Sequence, residues 1–410
     1  MRSAGRRRTA ALLLVPLVTA LALLVPSFDA DGPDARTMGP ALSSDAAFTH
    51  PGVLVDRDQL DALREHVTAG RQPWLKAYLA MRDSVYGSYR YRAEPHETVV
   101  CPAGDLRGRG CAEERADALA AYTQALLFTV TGERRHAEKA RQIMDAWSAT
   151  LRRHTGEKAA LQAGWTGSVW ARAAEIVRHT PGAGWPAARV RGFEDMLRTV
   201  HLPQVTSSDP DFTGTWDLVA TDAVISVAVF LEDRRAFDHA LERFRERVPA
   251  YFYLEEDGPV PLTVPGSGVD GPQRMASYWF GQTTYRDGVS QETCRSFRHV
   301  GASLAATAHI AETAWHQGVD LYGGSEDRLA AALALHARHE LGERAPEWLC
   351  GGRVERNLGP HLEVALHHLE ERRGRPVPAA HELAARARPA GTDDLFTAWE
   401  TLTHAGAPAG

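Results

Sequence analysis

The sequence predicts an all-α fold, an α/α toroid (incomplete α/α barrel) built from antiparallel helix pairs. Three observations carry the prediction. Apolar residues recur at spacings of three and four over most of the chain, the signature of helices that bury one face. Alternating apolar and polar patterns, which would mark half-buried strands, are nearly absent before residue 250. The helix, short turn, helix unit recurs through some 350 residues without a linker or a fixed short repeat. Apolar residues are 44% and charged residues 24% of the 410, with a net charge of −6, which excludes a mainly disordered chain and argues against a basic nucleic-acid surface.

In chain order, residues 1–30 read as a secretory signal. Arg2, Arg6, Arg7 and Arg8 precede the apolar run Thr9–Pro26, and Ala30 is a plausible cleavage residue. Residues 31–47 read as a flexible segment, followed by one domain over 48–405. Ala116–Val130 places Leu119, Tyr122, Leu126 and Val130 on one face, and Thr131-Gly132 stops it. Arg134–Leu151 follows, with Ala137, Ala140, Ile143, Met144 and Trp147 in register. Further helices are expected at Val169–His179, Phe193–Val205, Leu218–Leu231, Phe237–Val248 (ended by Pro249), Leu304–Trp315 and Leu329–His339. Paired helices of this kind leave their connecting loops at one end to form a cleft.

The four cysteines form an even set, as expected of an exported chain. Cys101 with Cys111 would close a short loop, and Cys294 with Cys350 would tie a motif-rich segment to a distant one. The absence of a C-x₂₋₄-C pair argues against a zinc site built on cysteine. The C-terminal histidines His361, His367 and His368 lack ligand spacing, so no metal is expected.

From Glu255 to Gly288 the helical pattern gives way to a loop rich in glycine and proline. It also holds Tyr278, Trp279, Phe280 and Tyr285, and a loop laid across a cleft is the expected reading. Directly after it, Gln291-Glu292-Thr293-Cys294-Arg295-Ser296-Phe297-Arg298-His299 gathers a carboxylate, two guanidiniums and an imidazole. Arg295 and His299, four residues apart, are expected to share a helix face. Arginine suits bidentate binding of a carboxylate and histidine moves protons near neutral pH. Thr213-Gly214-Thr215-Trp216-Asp217 opens another helix, and Trp165 and Trp216 are candidate sugar-stacking platforms.

Gln291–His299 running on to Ala311-Glu312 and Gln317–Tyr322 resembles the alginate lyase domain family of secreted polysaccharide lyases. So do Arg172–Ile176, Thr213–Leu218 with Ala228–Phe230, and Trp399–His404. The resemblance runs from about His50 to His404. It implies an α/α barrel that cleaves uronate polymers by β-elimination, with no obligatory cofactor. The implied partner is an anionic polysaccharide; no nucleic acid or lasting membrane association is expected, and the chain is expected to be a monomer.

That chemistry needs donors to neutralise the uronate carboxylate and stabilise the enolate, a base for the C5 proton and an acid for the leaving O4. Arg295 and Gln291 are the expected neutralisers, His299 a neutraliser or base, and Tyr285 or Tyr278 the acid. Trp165, Thr213, Thr215, Trp216, Tyr278 and Glu292 are expected to bind substrate. Family members usually carry an asparagine in the segment matching Thr213–Trp216; here both candidate positions are threonine. Two alternatives stand beside the lyase: an inverting hydrolase pairing Glu292 with Asp217 or Asp287, and a polysaccharide-binding relative that no longer cuts.

Overall fold

The computed structural model describes residues 47–406, apart from 105, 106, 208, 210 and 361. The expected signal at 1–30, nearly all of the 31–47 segment, and His361 lie outside the described residues.

The helices follow one another with short connections. α1 (Arg57–Thr68) opens on a reciprocal cap, in which Asp56 accepts from the Gln59 N–H at 2.8 Å and Gln59 accepts from the Asp56 N–H at 3.0 Å. α2 (Trp74–Asp83) leads to the short strand β1 (Thr98–Val100). α3 (Cys111–Thr131) and α4 (Arg134–Thr150) form the first clear pair, turned by Gly132 at φ 69°. β2 (Arg153–Thr155) lies parallel to β1, with His154 opposite Val99. Then come α5 (Ala159–His179), α6 (Ala187–Met196), a π-helical turn at Leu197–His201, and α7 (Leu202–Thr206). α8 (Gly214–Leu231) and α9 (Arg234–Tyr251) form the next pair, and α10 (Gly271–Tyr278) sits within the glycine- and proline-rich stretch. α11 (Phe297–His316), α12 (Glu326–Glu340), α13 (Glu363–Leu366), a second π-helical turn at His367–Arg372, α14 (Pro378–Ala387) and α15 (Glu400–His404) complete the chain.

Two kinds of helix build the toroid. α3, α5, α8 and α11 are buried nearly all round; in α8 every residue except Trp216 is buried. A helix apolar on every side must be enclosed, and these four pack in sequence, with α13, α15 and α1 carrying the ring back to α3. α4 and α9 are amphipathic and lie outside, α4 burying the predicted stripe Ala137, Ala140, Ile143, Met144 and Trp147. Close approach of α5 to α8 needs small residues. A Cβ on Gly164 would stand 3.0 Å from the Val219 Cγ1, and one on Gly167 3.4 Å from the Ala223 Cβ.

The inner helices run in the same direction. Their N-terminal halves meet at one end, where Thr166 bonds Glu114 at 3.1 Å and Thr215 bonds Ser303 at 3.1 Å. Farther along, Arg172 on α5 reaches Asp222 on α8 at 2.7 Å and His309 on α11 at 2.9 Å. The α/α toroid expected from the sequence is therefore the observed fold, with a common end where α3, α5, α8 and α11 begin.

Three expectations are corrected. Pro249 does not end its helix; α9 runs on to Tyr251, whose hydroxyl donates to Asp217 at 2.9 Å and holds the last turn against α8. The 255–288 stretch is not wholly irregular, since Gly271-Pro272 starts α10. α11 begins at Phe297, so Arg295 lies in the preceding turn and not on a shared helix face with His299. Both expected disulfides are present, Cys101–Cys111 and Cys294–Cys350.

Candidate active site

The site forms where the 291–299 segment meets the start of α8. Its backbone groups are satisfied across the chain. The Gly214 N–H donates to the Gln291 Oε1 at 3.0 Å, and the Thr215 N–H to the Glu292 Oε2 at 2.7 Å. Side chains 77 residues away thus cap the orphan donors of α8. A Cβ at Gly214 would sit 3.2 Å from the Tyr251 ring, so a larger residue would have to push that ring aside.

Glu292 is the hub. Its carboxylate is buried, accepts from the Thr215 hydroxyl and from the Ser303 hydroxyl at 3.4 Å, and takes the Arg295 Nη1 at 2.7 Å. Arg295 remains about one-third exposed (34%), with its guanidinium 5.5 Å from the Phe280 ring centre. His299 lies half-buried in the first turn of α11, its Nδ1 2.7 Å from the Ser296 hydroxyl. Burial is the main force that holds its pKa below the ordinary histidine value; Glu292 opposes this, while Arg295 and Arg298 add to it. His299 is therefore neutral near pH 7.

Gln291 and Tyr278 are joined to the same segment. The Gln291 amide also donates to the Tyr278 carbonyl, so both ends of it hold backbone. The Tyr278 hydroxyl donates to the Phe212 carbonyl at 2.6 Å, and burial with nearby Asp217 and Glu292 pushes its pKa up. Trp216 is half-buried beside Phe212, ring centres 5.5 Å apart. The Thr213 hydroxyl meets no protein partner among the described residues.

Two other expected residues lie elsewhere. Tyr285 packs with Tyr253 and Trp279 in a separate aromatic cluster, and its hydroxyl donates to the Gln282 carbonyl at 2.9 Å. Trp165 is almost wholly buried, with the Arg115 guanidinium 5.6 Å from its ring centre. Asp217 is engaged by Arg243 at 2.7 Å, Arg247 at 3.4 Å and Tyr251 at 2.9 Å. Asp287 accepts from the Glu255 N–H at 2.6 Å.

Sequence reasoning missed Arg243, Arg247 and Tyr251. Their spacing of four along α9 was a usable signal, since it puts all three on one stripe. It also missed Ser303, and it missed two groups of metal-type donors, Glu114 with His154 and His201, and Glu175 with His50 and His179.

A family model described as alginate lyase matches residues 100–265, from β1 through α9. The expected resemblance to alginate lyases is borne out. The matched segment carries Thr213–Asp217, whereas Gln291–His299 lies beyond it. Alginate lyase A1-III from Sphingomonas species A1 superposes with a TM-score of 0.60 at 16% identity, covering 89% of this chain and 99% of that one. The same enzyme complexed with tetrasaccharide gives 0.61 at 15% identity, with 89% and 99% covered. An alginate lyase from Bacteroides ovatus gives 0.53 at 12% identity, with 81% and 97% covered. The superpositions show that this chain shares its fold with these structures. No curated protein sequence matches the chain.

Proposed function

We propose that this chain is an exported polysaccharide lyase that cleaves a uronate-containing polymer, alginate, glucuronan or a similar chain, by β-elimination. The observation that carries the reading is the Glu292–Arg295–His299 group at the mouth of the toroid. A buried carboxylate aims a partly exposed guanidinium, and a neutral imidazole stands beside it. The fold and the family match support it, and the two disulfides fit an oxidising compartment.

In this mechanism Arg295 binds the uronate carboxylate, which lowers its negative charge and makes the C5 proton removable. His299 accepts that proton. The electron pair forms the C4–C5 double bond, the C4–O4 bond breaks, and the departing O4 takes a proton. Tyr278 is the better placed acid of the two tyrosines, because its hydroxyl reaches the Phe212 carbonyl beside the start of α8, whereas Tyr285 points into a separate aromatic cluster. Gln291 acts as a positioning residue, its amide tying Gly214 to Tyr278. Trp216 offers a ring beside the start of α8.

The hydrolase alternative fits less well. Asp217 is buried, and its two oxygens are taken by Arg243, Arg247 and the Tyr251 hydroxyl, so it does not face a substrate. The threonines at 213 and 215 favour the binding-only relative as the second reading. The decisive experiment is ultraviolet absorbance of the unsaturated uronate product, with purified protein on alginate, glucuronan and other polyuronates. A rising signal supports elimination. New reducing ends without it would point to hydrolysis, and binding without either would support the second reading.

A further inference from the structure

At the same end of the ring, beneath the start of α3, three buried side chains from three elements converge on one point. Glu114 stands in the first turn of α3, just after the Cys101–Cys111 bridge. His154 is the middle residue of β2, and His201 ends the first π-helical turn. All three side chains have no solvent exposure, and their donor atoms lie within 4.8 Å of one another. The Nε2 atoms of both imidazoles face the same carboxylate, at 2.9 Å for His154 and 3.1 Å for His201.

We propose that Glu114, His154 and His201 form a buried site for one divalent transition ion, Zn2+ by the chemistry of the donors, which clamps α3, β2 and the turn before α7. Two nitrogens and one carboxylate oxygen form a borderline donor set that suits Zn2+ and disfavours Mg2+ or Ca2+, which take oxygen ligands. A tetrahedral ion with bonds of about 2.0–2.1 Å places its donors ~3.3 Å apart. The observed separations of 2.9 and 3.1 Å need only a few tenths of an ångström of expansion. The imidazole planes cross at 75°, so a single point can lie in both planes.

The second candidate group fails that test. His50 and His179 are stacked with planes 4° apart and ring centres 4.2 Å apart, and one ion cannot lie in two parallel ring planes. Charge points the same way. Glu114 is met by two imidazoles, the Gln162 amide at 2.9 Å and the Thr166 hydroxyl at 3.1 Å, with the Arg115 guanidinium, bonded to the Gln162 Oε1 at 2.6 Å, as a neighbouring permanent charge. A buried carboxylate is stable only with charge compensation nearby, which a divalent ion supplies at the carboxylate itself. The Thr166 hydroxyl, also 3.4 Å from the His201 Nε2, stands at the edge of the fourth position. With no exposed ligand, the role is structural.

The test uses the full exported chain without an affinity tag. Its zinc content is measured by mass spectrometry after gel filtration, and its melting temperature before and after chelation. About one zinc per chain is expected, with a melting temperature that falls on chelation and recovers with Zn2+ but not with Mg2+. Glu114→Gln and His201→Gln should each bring zinc well below one equivalent, while His179→Ala should leave it unchanged. If neither glutamine variant folds, Co2+ added to the chelated wild type should give the intense visible bands of a tetrahedral site. The proposal is overturned by a zinc-free chain whose melting temperature ignores Zn2+, by zinc that survives both glutamine variants, by zinc lost in His179→Ala, or by weak octahedral Co2+ bands.

Discussion

Replacing Glu292 by glutamine separates the positioning role of that residue from a direct chemical one. The Glu292 Oε2 accepts from the Thr215 N–H at 2.7 Å and from its hydroxyl, and the Oε1 receives Arg295 at 2.7 Å. A glutamine that turns its carbonyl to Thr215 keeps the cap of α8 and presents its NH2 to the guanidinium. The loss therefore falls on Arg295, where a charge-assisted bond of about 1.5–3 kcal/mol is removed. If that bond holds Arg295 in its productive pose, kcat/KM on the responsive polyuronate falls about 10–100-fold, at ~1.4 kcal/mol per factor of ten. Stability falls by no more than about 2 kcal/mol, because the Thr215 donors stay satisfied. The assay pairs initial rates of product absorbance with a urea melt. An undiminished rate would refute the positioning argument. Complete loss of activity with an unchanged melt would refute it differently, by placing Glu292 among the groups that make or break bonds.

Other outcomes follow from the same geometry. Thr213→Asn should raise turnover several-fold, because position 213 is half-buried with a hydroxyl that meets no protein partner among the described residues; rates on the same polymer check it. Thr215→Asn should instead destabilise by about 1–3 kcal/mol, since it replaces a buried hydroxyl that bonds Glu292 and the His299 carbonyl with a longer amide, as a urea melt would show. Removing Cys294–Cys350, which closes 56 residues, should cost about 4 kcal/mol against about 3 kcal/mol for Cys101–Cys111, which closes 10, by the loop-entropy relation. Burial holds His336 and His367 at about 4, below the ordinary histidine value of 6.5. The unfolded chain then binds protons first, so their contribution is full above about pH 6.5 and is lost as pH falls towards about 4. Each such group is worth up to about 3 kcal/mol, and urea midpoints that stay level across that window would contradict the burial argument.

Most of the architecture was legible because helix periodicity reports burial directly. The stripe of α4 and the stop at Gly132 were read correctly for that reason. The start of α5 was only loosely placed because Gly164, Thr166, Gly167 and Ser168 are poor helix formers, the two glycines facing Val219 and Ala223 of α8. α10 escaped although Pro272 in its first turn is a standard start signal. In the site, chemical type brought out Arg295 and His299, but no local pattern shows that Glu292 caps a helix 77 residues away. The Glu114, His154 and His201 group was invisible for the same reason. Its members are 40 and 87 residues from Glu114, and only the toroid brings them together.

The common direction of the inner helices has an electrostatic consequence. Each helix carries about half a positive charge at its N-terminal end from aligned peptide dipoles, and α3, α5, α8 and α11 all begin at the same end of the ring. A chain with a formal charge of −6 thus concentrates positive potential at its mouth. A polyanion approaching the molecule is turned towards that end before it meets any side chain. Capture should therefore slow as salt is added even when the chemical step is unchanged.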